Sequence, residues 1–300
     1  MEVIIRESVE AATELVARVI ADEIRAKPDA VLGLATGQTM EAVYERLVHM
    51  HLKEGLDFSR CRTFNLDEYV GLPGTDSRSY RHYMDHHLFG RINIDRKHTH
   101  VPDGTADNLN EECARYEQLI AKHGGIDLQL LGIGLSGHLG FNEPASSLRS
   151  RTRVKVLAPA THAQNAIYFQ PPEKMPNRAI TMGVGTILDA RRCVLLATGK
   201  RKAEIVAKAV EGPVTSMISA TALQMHPNCA VVVDSDAGSR LKERDYYQWV
   251  FENESAWLPF RSEVHHNGNG RDGHAGATRQ ANSHAASATN GYPDVPPRDA

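Results

Sequence analysis

The chain has 300 residues, 41% of them hydrophobic, with 34 basic and 37 acidic side chains and a formal net charge of −3. That apolar content is enough for one large α/β domain or two small ones, and no apolar run is long enough to span a bilayer. The balance supplies no basic stripe to displace nucleic-acid counterions, so neither a nucleic acid nor a membrane is an expected partner.

The N-terminus lacks a basic region followed by a long apolar core, so no secretory signal is expected. Ser8 is a candidate N-cap for a helix whose apolar residues Ala12, Val16, Ile20 and Ile24 repeat every fourth position, with Pro28 ending it. Strands are expected at 30–34, 61–66, 126–133, 193–197 and 230–233, and helices at 39–53, 79–89, 108–122 and 201–210. This alternation predicts a mostly parallel sheet with helices on both faces. The four cysteines (Cys61, Cys113, Cys193, Cys229) have no Cys-x-x-Cys spacing and read as buried, reduced thiols of a cytosolic protein. From 262 to 300 there is no Leu, Ile, Phe, Met or Trp, so this segment reads as a disordered polar tail on a body spanning 1–261. Its histidines (His265, His266, His274, His284) read as solvated rather than as a metal site.

The stretch from Gly132 to Pro144 (Gly-Ile-Gly-Leu-Ser-Gly-His-Leu-Gly-Phe-Asn-Glu-Pro) carries the chemistry most openly. A buried strand empties into a glycine-rich loop holding His138 and Glu143, a minimal kit for proton transfer near neutral pH. The spacing of Gly132, Gly134 and Gly137 also spells a dinucleotide fingerprint. Pro144 interrupts the helix that the fingerprint requires, and no acid follows at the ribose position. Two further strand ends run into Thr-Gly and then a helix: Thr36-Gly37-Gln38, and Thr198-Gly199 followed by Lys200, Arg201 and Lys202. Small residues and free N–H groups at a helix start suit a phosphate. Asp67 and Glu68 close the third strand, as a tuned base or as a helix-start pair. His82, Asp85, His86 and His87 have metal-like spacing but share a helical pattern with Arg78 and Arg81, so a solvated face is expected and no metal is assigned.

Phe64-Asn-Leu-Asp-Glu-Tyr-Val-Gly-Leu, Gly137-His-Leu-Gly-Phe-Asn-Glu-Pro-Ala-Ser-Ser, Ser150-Arg-Thr-Arg-Val-Lys and Met182-Gly-Val-Gly-Thr-Ile-Leu-Asp-Ala together resemble the glucosamine-6-phosphate deaminase (isomerase) family, from Met1 to about Trp257. The resemblance implies a Rossmann-like three-layer α/β/α sandwich, a small aminosugar-phosphate substrate, no cofactor, and an isomerase that is also expected to be a hydrolase. It implies that Asp67 moves a proton between C2 and C1 of the open-chain sugar, letting ammonia leave. His138, steered by Glu143, would open the ring, with Ser136 beside it. Thr36, Gly37, Gln38, Gly137 and Lys202 match the positions around the substrate and its phosphate. Ser146, Arg153 and Lys155 match part of an activator site found in some members.

The departures from the family pattern are specific. Ser136 replaces an Asp or Asn; it can hydrogen-bond but cannot contribute charge to an imidazolium, so for charge His138 is expected to lean on Glu143 alone. Gln38 replaces a small residue and is expected to crowd the anion pocket. Ile167 stands where an arginine grips phosphate, and Val156 and Gln248 break the activator pattern. A different or unphosphorylated aminosugar, or a sensor that binds without turnover, are the alternative readings. Retention of Asp67, His138 and Glu143 together favours the enzyme. Family members occur as monomers and hexamers, so assembly stays open between a single chain and a homo-oligomer.

Overall fold

The computed structural model describes residues 1–166, 169 and 175–261. Ile167 and the 262–300 tail, with its histidines, lie outside the described residues. Strand β1 (Glu2–Arg6) is followed by α1 (Val9–Ala26), which Ser8 caps by accepting the Ala11 N–H at 3.1 Å. The chain continues through β2 (Val31–Leu34), α2 (Gln38–Glu54), β3 (Arg62–Asn65), β4 (Asp67–Tyr69) and the short α3 (Tyr80–Met84). The last of these widens into a π-turn over Asp85–Phe89. Then come β5 (Thr99–His100), α4 (Leu109–Lys122), β6 (Leu128–Leu131), β7 (Arg153–Val156), α5 (Pro159–Asn165) and β8 (Arg178–Thr181). The remainder is α6 (Val184–Leu188), β9 (Arg192–Ala197), α7 (Ala203–Glu211), β10 (Cys229–Asp234) and α8 (Arg244–Asn253).

Seven strands pair in the order β1-β10-β9-β6-β2-β3-β5, all parallel. The five expected strands form the centre of this sheet and are almost wholly buried, as strands covered on both faces must be. The chain order advances one way from β2 through β3 to β5, then resumes on the other side of β2 with β6. Open α/β sheets bind ligands where the order reverses, outside the carboxyl ends of the strands. The loops after β2 and β6 flank that point.

A second sheet, β4-β8-β7, is antiparallel and was not expected from the sequence. Its three strands are short, and only β4 and β8 are largely buried. It carries its own apolar cluster of Tyr69, Phe141, Leu157, Phe169, Met175 and Ala179, apart from the main core. The helix expected at 201–210 starts later, because Lys200–Lys202 forms a 3-10 turn first. All four cysteines are buried and free. Among the described residues no helix is long and apolar enough to cross a membrane.

Both ends of the described chain are tied down. The β1 strand pairs only with β10, and the Trp257 indole N–H donates to Glu2 Oε2 at 2.7 Å. Asp127, just before β6, fastens the middle of the sheet. Its carboxylate accepts the Val31 N–H at 2.8 Å, Lys27 Nζ at 2.7 and 2.8 Å, and Arg191 Nη1 at 2.6 Å. Lys27 and Arg191 can return to water if it is removed, but the buried Val31 N–H cannot. Asp127→Ala should therefore cost about 2–3 kcal/mol. Urea unfolding should show a lower midpoint with an unchanged m value.

Candidate active site

Asp67 sits where the chain passes from one sheet to the other. Leu66 N–H still donates to Leu34 of β2 at 3.0 Å, while Leu66 C=O already accepts from Met182 N–H, just past β8, at 2.7 Å. One residue on, Asp67 pairs across β4–β8 with Thr181. Its carboxyl is buried, and a Cβ on Gly140 would lie 3.2 Å from its Oδ2 and 2.9 Å from Thr181 Oγ1. The glycine of the His138 loop is thus what lets that loop lie against the acid. Burial pushes the Asp67 carboxyl up to about 8, with the Glu68 charge adding to it.

The two adjacent carboxylates separate into two roles. Glu68 accepts the backbone N–H groups of Tyr69, Tyr80 and Arg81 at 2.8–2.9 Å, so it fastens the start of α3. Burial still raises it, to about 7, against the pull of those three donors. Glu68 takes the helix-start place among the readings left open by the sequence, while Asp67 lies against the His138 loop.

His138 lies in the β6 loop with its ring packed over Gly134, where a Cβ would fall 2.1 Å from Nε2. Ser136 Oγ is 2.7 Å from Nδ1, whereas Glu143 Oε2 is 3.3 Å away, within ion-pair range. Ser136 thus supplies a neutral hydrogen bond, and Glu143 supplies the charge. A turn closed by Gly137 N–H to Gly134 C=O at 2.9 Å brings the serine to the ring, and the carboxylate stands behind. Burial pushes Glu143 up, but bonds from His138 and Thr161, the His138 charge and the Ala158 N–H outweigh it and hold the carboxyl below its usual value.

The loop is held from several sides. Asn142, fully buried, donates to Leu139 and Met182 carbonyls at 2.9 and 2.8 Å. Ser219 Oγ accepts from Leu139 N–H and donates to Asn142 C=O. Gly137 has φ +80°, and a Cβ there would meet Ile218 Cγ2 at 2.5 Å. Ala145, just beyond Glu143 and Pro144, holds φ 68°, a left-handed conformation costly for a side-chain-bearing residue.

The anion-binding candidates sit beside this loop. Gly37, φ 103°, is the N-cap of the seventeen-residue α2 and offers no capping side chain. Thr36 is half-buried beside it. Gln38 is exposed at the first turn. Lys202 reaches from the β9 loop to the end of β6, donating Nζ to Ile133 C=O at 2.6 Å, and burial lowers its pKa, with Arg201 adding to this.

Residues matched to the activator site are spread out. Ser146 is buried in the loop, its N–H on Glu143 C=O at 3.0 Å. Arg153 and Lys155 lie two apart on the edge strand β7, and burial lowers the Arg153 pKa. Val156 is exposed, and Gln248 donates to Glu252 at 2.7 Å. In the histidine-rich segment, Asp85 is taken up by Arg81 and Arg96, and the His87 ring lies 4.3 Å from that of Tyr83. Sequence reasoning missed Tyr83, whose hydroxyl donates to Gly37 C=O at 2.9 Å, and Thr181 beside Asp67. The one available signal for Tyr83 was its i,i+4 spacing with His87.

A poised carboxyl, an oriented imidazole and two glycine turns at the switch point of a parallel sheet define an acid–base site of the open α/β class. Residues 5–233 match the family model described as glucosamine-6-phosphate isomerases/6-phosphogluconolactonase, and the chain belongs to that family. Curated relatives named glucosamine-6-phosphate deaminase include one from Shewanella woodyi, 48% identical over 248 residues, covering 83% of this chain and 94% of the relative. Another, from Hahella chejuensis, is 49% identical over 250 residues, covering 83% and 95%. A solved structure described as a monomeric glucosamine-6-phosphate deaminase superposes with a TM-score of 0.78 at 45% identity, covering 80% of this chain and 100% of that one. The 6-phosphogluconolactonase of Trypanosoma brucei, at 21% identity and a TM-score of 0.61 over 80% of this chain and 98% of its own, shares the fold. These findings correct the expectation of a hydrolase: the relatives at this identity are named as deaminases, and the family description that this chain matches names glucosamine-6-phosphate isomerases first.

The Asp67 shift has a consequence for stability. A carboxyl raised in the fold from 3.8 to about 8 stabilises fully below the lower value, and that contribution is lost as pH rises to the upper one. The melting temperature of the wild type should therefore fall relative to that of Asp67→Asn between about pH 4 and pH 8 and run parallel to it above. Parallel curves throughout would show that Asp67 is not held protonated in the fold.

Proposed function

We propose that this chain converts glucosamine 6-phosphate to fructose 6-phosphate and ammonia, in the cytoplasm, through a single body spanning 1–261. The observation that carries the reading is the contact of the His138 loop, through Gly140, with the buried Asp67. Two groups suited to two different proton transfers then serve one crevice.

In this proposal the anion loop at Thr36, Gly37 and Gln38, with Lys202 and the turn at Gly137, receives the phosphorylated end of the sugar. His138 exchanges protons with the hydroxyl and ring oxygens and opens the ring. Ser136 on Nδ1 fixes the ring orientation, and Glu143 supports the positive charge that the imidazole gains. Asp67 then takes the C2 proton of the open-chain aldose and returns it at C1, leaving an imine at C2. Solvent water adds to C2, the C2–N bond breaks, and ammonia leaves as the water oxygen becomes the ketone oxygen. A carboxylate whose proton affinity burial has raised is a stronger base for a weakly acidic C–H than an exposed one. Ser146, Arg153 and Lys155 are proposed as the remnant of an activator site. Each proposed catalytic group comes from one chain, so the reading works for a monomer and for a homo-oligomer of up to six.

Ammonia release from glucosamine 6-phosphate, compared with free glucosamine, tests the assignment directly. Asp67→Asn should reduce kcat by a factor of about 10²–10⁴ while leaving binding largely intact. Near wild-type turnover by that variant would remove Asp67 from its role. Because the base must be unprotonated, kcat/KM of the wild type should climb as pH rises toward about 8 and level off above it.

His138→Gln should slow reaction of the ring-closed sugar far more than the reverse reaction begun from the open-chain ketose. Equal losses in the two directions would reject a ring-opening role.

A further inference from the structure

The carbonyls of the loop between β2 and α2 are held from behind by two tyrosines. Tyr44, fully buried on α2, donates its hydroxyl to Ala35 C=O. Tyr83, on α3, donates to Gly37 C=O at 2.9 Å, and that carbonyl also accepts the Met40 N–H at 2.8 Å. The two rings meet edge to face, with centroids 6.4 Å apart, and His87 packs on the other side of Tyr83 with centroids 4.3 Å apart. His87 belongs to the π-turn Asp85–Phe89. An inserted residue of this kind re-aims helical side chains and is frequent beside functional sites.

In a trans peptide the C=O of one residue and the N–H of the next point in opposite directions. Fixing the carbonyls of Ala35 and Gly37 therefore also fixes the N–H groups of Thr36 and Gln38. Those two donors point away from the tyrosines, as an anion-binding turn at a helix start requires. Gly37 at φ 103° has many alternative conformations open to it. Without a restraint it would lose that freedom only when the anion arrives.

We propose that Tyr83, with Tyr44, is a positioning residue that preorganises the Ala35–Gln38 loop for the phosphate of the substrate. The inference rests on the phosphate role given to that loop above. Neither hydroxyl touches the reacting carbons, so the effect belongs to phosphate affinity and not to the proton transfers. The sequence hides the arrangement, since Tyr83 lies more than forty positions beyond Gly37 and reaches it only because α3 packs next to α2.

The test combines calorimetric titration of the full chain with inorganic phosphate and steady-state kinetics on glucosamine 6-phosphate and free glucosamine. Tyr83→Phe removes one hydroxyl from a half-buried ring, and it should weaken phosphate binding roughly five-fold, the net effect of one neutral hydrogen bond. KM for the phosphorylated sugar should rise by a similar factor with kcat changed less than about two-fold, and kcat/KM for free glucosamine should not move. Tyr44→Phe should act in the same direction. His87→Ala keeps the hydroxyl but removes its packing partner, and should give a smaller shift of the same sign. Phosphate affinity unchanged in Tyr83→Phe would overturn the inference, as would a fall in kcat without a change in affinity. A wild type that binds no phosphate at tens of millimolar would overturn it too. If the wild type binds phosphate but releases no ammonia, the deaminase reading fails alone, and the titrations still decide the role of Tyr83.

Discussion

Leu66 is hydrogen-bonded into two sheets at once, and the geometry of the site follows from that. Its N–H completes the parallel ladder with β2, and its C=O opens the antiparallel one beyond β8. A strand that changes partners within one residue delivers the next side chain to the seam between the sheets, where water is scarce. Asp67 is that side chain. The same seam must admit the loop that follows β6, and only a residue without a Cβ fits at position 140. Acid and loop are therefore fixed by one packing constraint.

The electrostatics divide along the same line. Two neighbouring carboxylates in one desolvated region cannot both be charged cheaply, and the backbone decides between them. The backbone N–H groups of Tyr69 in β4 and of Tyr80 and Arg81 at the start of α3 serve Glu68, so the pressure to stay protonated falls on Asp67. For His138 the order of partners is the reverse of what charge alone suggests. The neutral Ser136 sits closer to Nδ1 than the charged Glu143, so orientation and charge support come from different residues. An imidazole held in this way can gain a proton without first having to turn.

Much of this was readable from residue order. Most of the central strands are largely apolar, and the helices carry four-residue periodicity with an authentic cap at Ser8, so the centre of the parallel sheet was legible to within a residue or two. The antiparallel sheet was not. β4 and β7 are short and charged, and their pairing with β8 is set by packing on Phe141 and Tyr69, not by any local pattern. At the site, His138, Glu143 and Asp67 declared themselves through motif and chemistry. The closer approach of Ser136 depends on a turn geometry that a string of letters does not specify. The Tyr83 contact depends on how two helices pack, and only the fold brings those residues together.

The pairing of β1 with β10 bears on how the molecule is made. β1 is an edge strand, and its partner β10 is the last of the described strands in chain order. At ~5–20 residues per second, roughly 10–45 s separate their appearance. Throughout that interval Val3 and Ile4, both buried in the finished protein, have no strand to lie against. Non-local closure of this kind is slow even in a complete chain. The nascent polypeptide thus carries an unpaired apolar strand until β10 emerges, and its yield in a cell depends on whether something shields that strand while it waits.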